Sequence, residues 1–252
     1  KLKLLKNLER GGTLLVNGQD PQLAQVQSGV HRIIRVGLDP KSADVSAQQL
    51  WSHEQGTSFL LNGRDKMRTP LLGRHNVINT LLAIQTALMM GVELAAIQKS
   101  LSEFKPVPGR LTLKVIDEIR FLDDSYNSNP TSFQAALETF RGLKTTGKNG
   151  VVCGDMLELG GQTEFLHRQA GRSLAGFLFD FVVAVGPLSA HLKDEAMQAG
   201  YPAEKIFHAK DSVEAGKMCQ KIVSSGDLVL VKGSRGMQME RIFDCFMSCS
   251  TR

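Results

Sequence analysis

The sequence has few aromatic residues, and its basic residues are scattered along the chain. Aromatic residues make up 6% of the 252 residues, while the formal net charge at pH 7 is +5. Nucleic-acid-binding surfaces usually combine clustered basic residues with aromatic ones, so this composition argues against such a surface. The positive charge instead favours a small anionic ligand such as a nucleotide.

The cysteines follow no pattern that is typical of a disulfide framework or a zinc site. They form no CxxC pair, and no histidine lies at zinc-ligand spacing from them. We therefore interpret them as buried or incidental thiols of a reducing compartment. The four are Cys153, Cys219, Cys245 and Cys249.

Long hydrophobic runs are also missing. The longest apolar run, residues 177–185, is interrupted by Asp180 and is too short to span a bilayer. The first residues show no signal-peptide pattern. We expect a cytoplasmic, monomeric protein that binds neither membrane nor nucleic acid.

The glycine-rich motifs of common nucleotide sites are absent as well. A phosphate-binding loop reads GxxxxGK[ST], but the Gly-Lys pairs here are followed by Asn149 and Met218. There is no GxGxxG motif, no carboxylate cluster suited to Mg²⁺, and no nucleophile with a paired base. A Rossmann-like pattern alone therefore does not imply a dinucleotide.

The pattern of apolar residues predicts an α/β protein with two domains. Beyond Arg110, strands alternate with helices, which indicates a Rossmann-like, mostly parallel sheet with helices on both faces. The segment before it indicates the β-rich remainder of a larger α/β domain. The Pro- and Gly-rich residues 105–109 are the best boundary, so we predict domains at 1–107 and 108–252.

The periodicity of the apolar residues and the positions of turn and capping residues predict the individual helices and strands. The predicted strands are 13–17, 31–36, 57–61, 111–116, 119–122, 150–153, 181–185, 206–208 and 228–232. The predicted helices are the last turns of an amphipathic helix at 1–8, a helix from residue 73 that stops at Gly91, one that opens at Pro130, and those at 93–104, 163–177, 189–199, 213–224 and 237–247. Between residues 39 and 68 we predict one strand, followed by a hairpin turn at Asn62-Gly63.

The stretch from Phe121 to Pro130 carries the densest set of polar side chains. It contains two carboxylates, a phenol, two amides and two serine hydroxyls just after a short apolar strand. In open α/β sheets, ligands bind outside the carboxyl ends of the strands, so this is a candidate site. The alternative is an Asx-rich turn that caps a helix.

Two further clusters each permit two interpretations. Asn76 and Asn79 share one face of a helix start and could match the acceptor and donor of an adenine edge, or they could form a cap with a polar face. Lys232, Ser234 and Arg235, followed by a helix N-terminus, could bind a carboxylate or phosphate, or form a solvated basic turn.

For two single residues, a structural role is favoured over a catalytic one. His167 is expected to be partly buried or surface polar rather than catalytic. Glu158 is expected to cap the next helix rather than to orient a base.

Six motifs occur in the order that the Mur ligase family shows, and the chain resembles that family over nearly its whole length. They are LVNGQDP at 15–21, GRHNVIN at 73–79, VPGR at 107–110, LDDSYNSNP at 122–130, GDMLELG at 154–160 and VKGSRGMQME at 231–240. Ser128 stands where the family usually has Ala. The Asp-Asn-Pro-Arg loop of the ligases that add diaminopimelate or lysine is absent, and so is the DGAHNP stretch of folylpolyglutamate synthases.

The resemblance implies ATP-driven joining of D-alanyl-D-alanine to UDP-N-acetylmuramoyl-tripeptide in peptidoglycan precursor synthesis. It implies that Asn76 and Asn79 hold the adenine, that Arg110 reaches the phosphates, and that Asp124 accepts from the ribose hydroxyls. Arg110 and Lys232 are the candidate catalytic residues. Candidates for binding the acceptor dipeptide are Tyr126, Asn127, Asn129, Ser234 and Arg235.

The resemblance also implies that residues 1–107 are the latter part of a central ATPase domain. The phosphate-binding loop and the ligands of Mg²⁺ are then expected upstream of Lys1, and the chain alone should bind ATP weakly and ligate nothing. The rival hypothesis is a non-catalytic α/β nucleotide-binding or interaction module derived from such a ligase.

Overall fold

The computed structural model describes residues 2–247 and divides the chain into two compact units. The first unit ends at Lys105 and the second begins at Pro106. Among residues 2–247, no helix is both long enough and apolar enough to cross a membrane. Each unit has its own sheet.

The first unit is a five-stranded mixed sheet with helices packed against it. The strands lie in the order β1-β2-β3-β4-β5, with parallel pairing from β1 to β3 and antiparallel pairing from β3 to β5. Its strands are β1 (Thr13–Asn17), β2 (Arg32–Gly37), β3 (Val45–His53), β4 (Gly56–Leu61) and β5 (Asp65–Thr69). Its helices are α1 (Pro21–Ala24), α2 (Arg74–Met89) and α3 (Leu94–Glu103), and a 3-10 helix covers Leu2–Asn7.

Several predictions for this unit are confirmed, and two are wrong. The predicted hairpin turn is confirmed: Asn62 and Gly63 have positive φ of 50° and 73°, and residues 62–64 connect the paired residues Leu61 and Asp65. The prediction of a single strand between residues 39 and 68 is wrong, because β3 and β5 lie there too. The apolar and polar alternation of β3 is broken by a bulge at Gln49 (φ 49°), and β5 buries only Met67 and Thr69.

The prediction at the start of the chain is also wrong where it can be checked. Residues Leu2–Asn7 form a 3-10 helix rather than the last turns of an α-helix. Lys1, which the prediction included, lies outside the described residues, and so does Cys249. Cys153 and Cys219 are buried, as expected, and both thiols are free.

The second unit is the predicted α/β fold with a mostly parallel sheet. Its six strands lie in the order β10-β9-β8-β11-β7-β6, and only β6 runs antiparallel to its neighbour. The strands are β6 (Thr112–Ile116), β7 (Ile119–Asp124), β8 (Asn149–Gly154), β9 (Phe181–Val185), β10 (Ile206–Ala209) and β11 (Leu228–Lys232). The helices are α4 (Pro130–Arg141), α5 (Thr163–Ala175), α6 (Ser189–Gln198), α7 (Ser212–Ile222) and α8 (Arg241–Met247).

The sheet of the second unit is covered on both faces, as its uniformly apolar strands require. Every residue of β9 and β11 is buried. Helices α7 and α8 pack together on one face, where Phe121 meets Phe243 and Phe246 edge to face. Helix α5 contacts both α4 and α6.

The last predicted helix begins later than expected. A 3-10 turn covers Arg235–Met237, Gln238 is left-handed with φ of 48°, and the α-helix starts only at Arg241. The left-handed residue breaks the helical path, because a bulky L-residue at positive φ cannot continue a right-handed helix. The turn after β11 is therefore not followed at once by the N-terminus of an α-helix.

Candidate functional site

Most candidate residues of the second unit lie at the carboxyl edge of its sheet. Strand β11 lies between β7 and β8, with Lys232 in register with Asp124 on one side and Cys153 on the other. Three loops therefore meet where these strands end, at residues 124–129, 154–160 and 232–236. This is the edge at which parallel α/β sheets bind their ligands.

Lys232 and Asp124 form an ion pair within this edge. The Lys232 Nζ lies 2.6 Å from Asp124 Oδ2 and donates to the Asn127 carbonyl at 2.9 Å. The Lys232 side chain is 1% exposed and that of Asp124 is 15% exposed. Burial lowers the pKa of the Lys232 ammonium, against the attraction of Asp124. Burial raises the pKa of the Asp124 carboxyl, against the attraction of Lys232.

The interpretation of this region as a solvated basic turn is wrong for Lys232 and correct for Arg235. The Lys232 ammonium is buried and held by two protein oxygens, whereas the Arg235 side chain is 68% exposed and pairs with Glu240 at 3.0 Å. Ser234 is buried, and its hydroxyl accepts from the Leu157 amide at 2.8 Å. The same hydroxyl donates to the Ser128 carbonyl at 3.3 Å, so it joins the three loops.

Asp123, next to Asp124, contacts different partners. It is 1% exposed, and its Oδ2 pairs with Lys114 Nζ at 2.7 Å. Its Oδ1 accepts from both the amide and the hydroxyl of Ser125, at 3.1 Å and 2.6 Å. Each of the two consecutive carboxylates thus has its own lysine partner.

Arg110 lies over the ring of Tyr126, with its guanidinium carbon 4.0 Å from the ring centroid. Both side chains are exposed to solvent. Gly109 and Leu111, on either side of Arg110, have positive φ of 75° and 51°. The Gly109 carbonyl accepts from the Tyr126 amide at 3.0 Å, and the Leu111 amide donates to Asp124 Oδ1 at 3.2 Å.

Asn127 and Asn129 use their side chains locally. The Asn127 Oδ1 accepts from the Ser128 amide at 2.8 Å. Asn129 caps α4 in a capping box with Ser132, and Pro130 occupies the first helical turn as predicted. The interpretation of this stretch as a helix-capping turn is therefore confirmed for Asn129, and both asparagines remain exposed.

Asn76 and Asn79 lie together in the first turns of α2. Asn79 Nδ2 donates to Asn76 Oδ1 at 3.2 Å, and Asn76 Nδ2 donates to the Leu72 carbonyl at 2.8 Å. The shared helical face that their spacing predicts is confirmed. The side-chain amide of Asn76 is partly used in its bond to the Leu72 carbonyl, while Asn79 is exposed.

Two buried residues, Asp155 and His167, support the loops at this edge. Asp155 is 2% exposed and accepts from the amides of Leu188 and Ser189 at 3.2 Å and 2.7 Å, so it caps α6 from a distance of more than thirty positions. His167 is fully buried; its Nε2 accepts from the Met156 amide at 3.0 Å and its Nδ1 lies 2.7 Å from the Thr163 carbonyl. No short-range sequence signal marks the Asp155 cap, because its helix begins far along the chain.

The sequence hypotheses for His167 and Glu158 have different outcomes. His167 is structural, as expected, but it is wholly buried rather than partly so. Glu158 was expected to cap the next helix, and this is wrong: it is exposed with φ of 63°, and α5 has no side-chain cap. Its positive φ places Glu158 within the loop rather than at the start of a right-handed helix.

The described residues fit a nucleotide in part, but they include no cluster of metal ligands. The exposed Asn79 amide can pair with a base edge, and the exposed Arg110 guanidinium can meet a phosphate. Across residues 2–247, no group of three or more His, Cys, Asp or Glu could hold a metal ion. No residue of this chain is therefore assigned to Mg²⁺.

Two family models match the chain, one in each unit. Residues 1–87 match the Mur ligase middle domain, and residues 109–235 match the "Mur ligase, glutamate ligase domain". The chain is 31% identical over 244 residues to the UDP-N-acetylmuramoyl-tripeptide--D-alanyl-D-alanine ligase of Bacillus subtilis, covering 96% of this chain and 52% of that protein. It is 30% identical over 250 residues to the ligase of the same name from Escherichia coli, covering 96% and 53%.

Solved structures agree with these sequence matches. A MurF structure from Acinetobacter baumannii superposes with a TM-score of 0.81 at 30% identity, covering 96% of this chain and 52% of that one. The MurF ligase of Thermotoga maritima, solved with ADP, gives a TM-score of 0.82 at 21% identity and covers 98% and 56%, which supports the fold. The chain spans about half the length of the curated relatives it matches. With a family model covering each unit, the chain belongs to the Mur ligase family.

Proposed function

We propose that the whole protein is an ATP-dependent ligase that joins D-alanyl-D-alanine to UDP-N-acetylmuramoyl-tripeptide. The observation that carries this proposal is the 31% identity to a curated ligase of that activity across 96% of the chain. The motifs at residues 122–130 and 231–240 also meet at the carboxyl edge of the second sheet, which is where α/β sheets bind their ligands. An ATP-dependent reaction also fits the expected cytoplasmic location.

The proposed chemistry is amide formation through an activated carboxylate. ATP supplies the γ-phosphoryl group that activates the terminal carboxylate of the tripeptide. The free amine of the dipeptide then attacks the acyl phosphate, a tetrahedral intermediate forms, and its collapse releases phosphate and leaves the new amide. This route requires positioning and charge neutralisation more than a side-chain nucleophile.

The exposed polar groups of the chain have roles that suit this chemistry. We assign the adenine edge to Asn76 and Asn79 and the phosphates to Arg110, whose guanidinium can form bidentate contacts with oxygen pairs. Asp124 retains free lone pairs on both carboxylate oxygens and 15% of its side chain exposed, so it can still accept from a ribose hydroxyl. Mg²⁺ belongs to the proposed reaction, but its ligands are not assigned to this chain.

The acceptor dipeptide is assigned to the loops at the carboxyl edge. Asn127 and Arg235 are exposed there and can meet the peptide amide and the terminal carboxylate of D-alanyl-D-alanine. Asn129 is exposed beside them, while Ser234 shapes the edge by joining its loops.

The test is a ligation assay of the whole protein with ATP, the dipeptide and a set of UDP-N-acetylmuramoyl-tripeptides. Phosphate release should require all three substrates, and mass spectrometry should show a product heavier by one dipeptide less water. Arg110→Ala should lower kcat by about 10²- to 10³-fold, since it removes a group that neutralises transferring charge. Arg141→Ala is the matched control, because Arg141 also lies near an aromatic ring, that of Phe177, but at the other end of α4.

Two outcomes would contradict the proposal. Nucleotide binding without any dipeptide-dependent product would favour a non-catalytic nucleotide-binding module. Full activity in Arg110→Ala would show that the Arg110 guanidinium does not bind the phosphates.

A further inference from the structure

The residue on which the proposed reaction most depends, Arg110, lies in an unusual stretch of backbone. Its two neighbours both have positive φ, and one of them, Leu111, is not a glycine. A branched residue in the left-handed region costs energy, so surrounding contacts must hold it there. The contacts that do so identify which residues orient the guanidinium.

The backbone on the N-terminal side of Arg110 is held by the Tyr126 amide. That amide donates to the Gly109 carbonyl at 3.0 Å. The backbone at Gly109 and the segment 125–126 approach each other closely. A Cβ at Gly109 would lie 3.2 Å from the Tyr126 amide nitrogen and 3.3 Å from Ser125 Oγ. Gly109 is therefore needed both for its φ and for this close approach.

The backbone on the C-terminal side of Arg110 is held by Asp124. Its Oδ1 accepts from the Leu111 amide, and its Oδ2 accepts from Lys232 Nζ. The Leu111 side chain is 4% exposed, which fixes this end of the segment further. A carboxylate placed between a backbone amide and a buried ammonium makes a charge-assisted bond to each, and such bonds are stronger and more directional than neutral ones.

The side chain of Arg110 is held by the ring of Tyr126. The separation of 4.0 Å between guanidinium carbon and ring centroid is that of a cation–π stack. Since 44% of Tyr126 is exposed, the guanidinium is supported from one side and open to solvent on the other.

Lys232 cannot act at this edge by direct contact with a dissolved ligand. Its side chain is 1% exposed, and its ammonium is held by Asp124 and by the Asn127 carbonyl. Burial lowers the pKa of Lys232, and the charge of Arg110 lowers it further.

We infer that Tyr126, Asp124 and Lys232 are positioning residues that preset the Arg110 guanidinium, Tyr126 as the platform beneath it and Lys232 through Asp124. The inference rests on the proposed function for its effect on rate, but the preset geometry is a property of the chain alone. It gives Tyr126 and Lys232 a part in the reaction without contact with substrate. It also explains why a lysine occupies the end of a wholly buried strand.

The first test measures the order of the Arg110 side chain in the 252-residue chain by ¹H–¹⁵N NMR of the arginine Nε–H groups. Arg110→Lys identifies the signal. In the unchanged chain, Arg110 should show an upfield ring-current shift and a high order parameter, whereas Arg235, which faces a carboxylate, should show no such shift. Tyr126→Ala should abolish the shift and the order, and Tyr126→Phe should keep both, because the ring face is what supports the cation.

Substitution of Lys232 is the stronger test of the positioning role. Lys232→Met should lower the order of the Arg110 side chain, although the hydrogen bonds of Lys232 go to Asp124 and Asn127. If Lys232→Met does not fold, the double variant Asp124→Asn with Lys232→Met removes both buried charges and should lower the order in the same direction. Phe165→Ala is the control, since Phe165 is a 66% exposed aromatic residue of α5 in the same unit.

The second test uses the whole protein and separates kcat from KM. Tyr126→Ala should lower kcat by about 10- to 100-fold, the cost of a misplaced catalytic group. The KM for the dipeptide should not change, because a positioning residue makes no contact with it. Tyr126→Phe should restore kcat, whereas a Tyr126 that binds the dipeptide through its hydroxyl would lose affinity as Phe.

The positioning role and the proposed function are contradicted by different results. An Arg110 signal that ignores all of these substitutions overturns the positioning role, even in an active ligase. A whole protein without ligase activity overturns the proposed function, while the NMR comparison still decides whether Arg110 is preset.

Discussion

The two units of the chain build their candidate residues in opposite ways. In the first unit, Asn76 and Asn79 are three positions apart and are brought together by a single helical turn. In the second unit, Asp124 and Lys232 are 108 positions apart and are brought together by the register of β7 with β11. A local pair depends on one helix, but a pair made by sheet register depends on the fold of the whole unit. The substitutions that follow test this contrast, with the largest expected effect first.

Removing the lysine of the register-made pair should have the largest effect. Lys232→Met leaves the Asp124 carboxylate largely buried without its cation, and the loss of one partner from a buried pair costs about 3–5 kcal/mol. Arg235→Met is the matched control, because it breaks an exposed pair from the same loop and should cost about 0–1 kcal/mol. Hydrogen exchange of the β7 and β11 amides measures both, and equal effects would contradict the contrast.

A methyl group between two helices of the second unit should have the next largest effect. A Cβ at Gly171 of α5 would lie 2.1 Å from the Leu192 carbonyl of α6. Although alanine is the better helix former, Gly171→Ala should therefore destabilise this unit by about 1–3 kcal/mol. At Gly161, where a Cβ meets nothing within 4 Å, the same substitution should change the free energy of unfolding by less than about 0.5 kcal/mol. Urea unfolding followed by far-UV circular dichroism compares them, and a stabilised Gly171→Ala would show that propensity dominates.

Substitution by alanine of two serines four positions apart should change the stability of the second unit in opposite directions. Ser128 is 3% exposed, and within the described residues its hydroxyl has no hydrogen-bond partner. Ser128→Ala should stabilise the unit by about 1 kcal/mol, since it removes an unpaired buried polar group. Ser132→Ala breaks the capping box with Asn129 and should cost about 0.5–1 kcal/mol. Thermal unfolding of both variants gives the signs, and destabilisation by Ser128→Ala would reveal a partner for that hydroxyl.

The local pair of the first unit should tolerate loss with the smallest change in stability. Asn79→Ala removes an exposed amide that bonds only to Asn76 among the contacts described, so unfolding should change by less than about 0.5 kcal/mol. Trp51, the only tryptophan of the sequence, lies in β3 and reports unfolding of this unit by fluorescence. Asn76→Ala is the comparison, since it also breaks the bond to Leu72 and should cost more. Under the proposed function, both variants should still weaken ATP binding.

The sequence predicts best where one signal dominates. The strands at 181–185 and 228–232 match the structure at both ends, because each is a short apolar run bounded by turn residues. The hairpin at Asn62-Gly63 is confirmed for the same reason, since both residues accept the positive φ of its turn. Strand β3 was missed because the bulge at Gln49 shifts its register and spoils the alternation.

The candidate site was predictable as a list of residues but not as a set of contacts. The motifs place Asp124 and Lys232 at strand ends, yet only the position of β11 between β7 and β8 makes them a pair. The Asp155 cap on α6 is invisible for the same reason. The roles assigned to Asn127, Tyr126 and Arg235 stay predictions, because their exposed side chains await a ligand.

The order of the strands in the second unit has a consequence for how the protein is made. Strand β11 is the last strand of that sheet to leave the ribosome, yet it occupies an interior position beside β7 and β8. The sheet can therefore not close during synthesis until Lys232 has emerged, and a nascent chain stalled before Leu228 would expose two unpaired inner edges. Such edges promote aggregation, so a premature stop just before Leu228 should yield an aggregation-prone chain even though most of the sheet has been made.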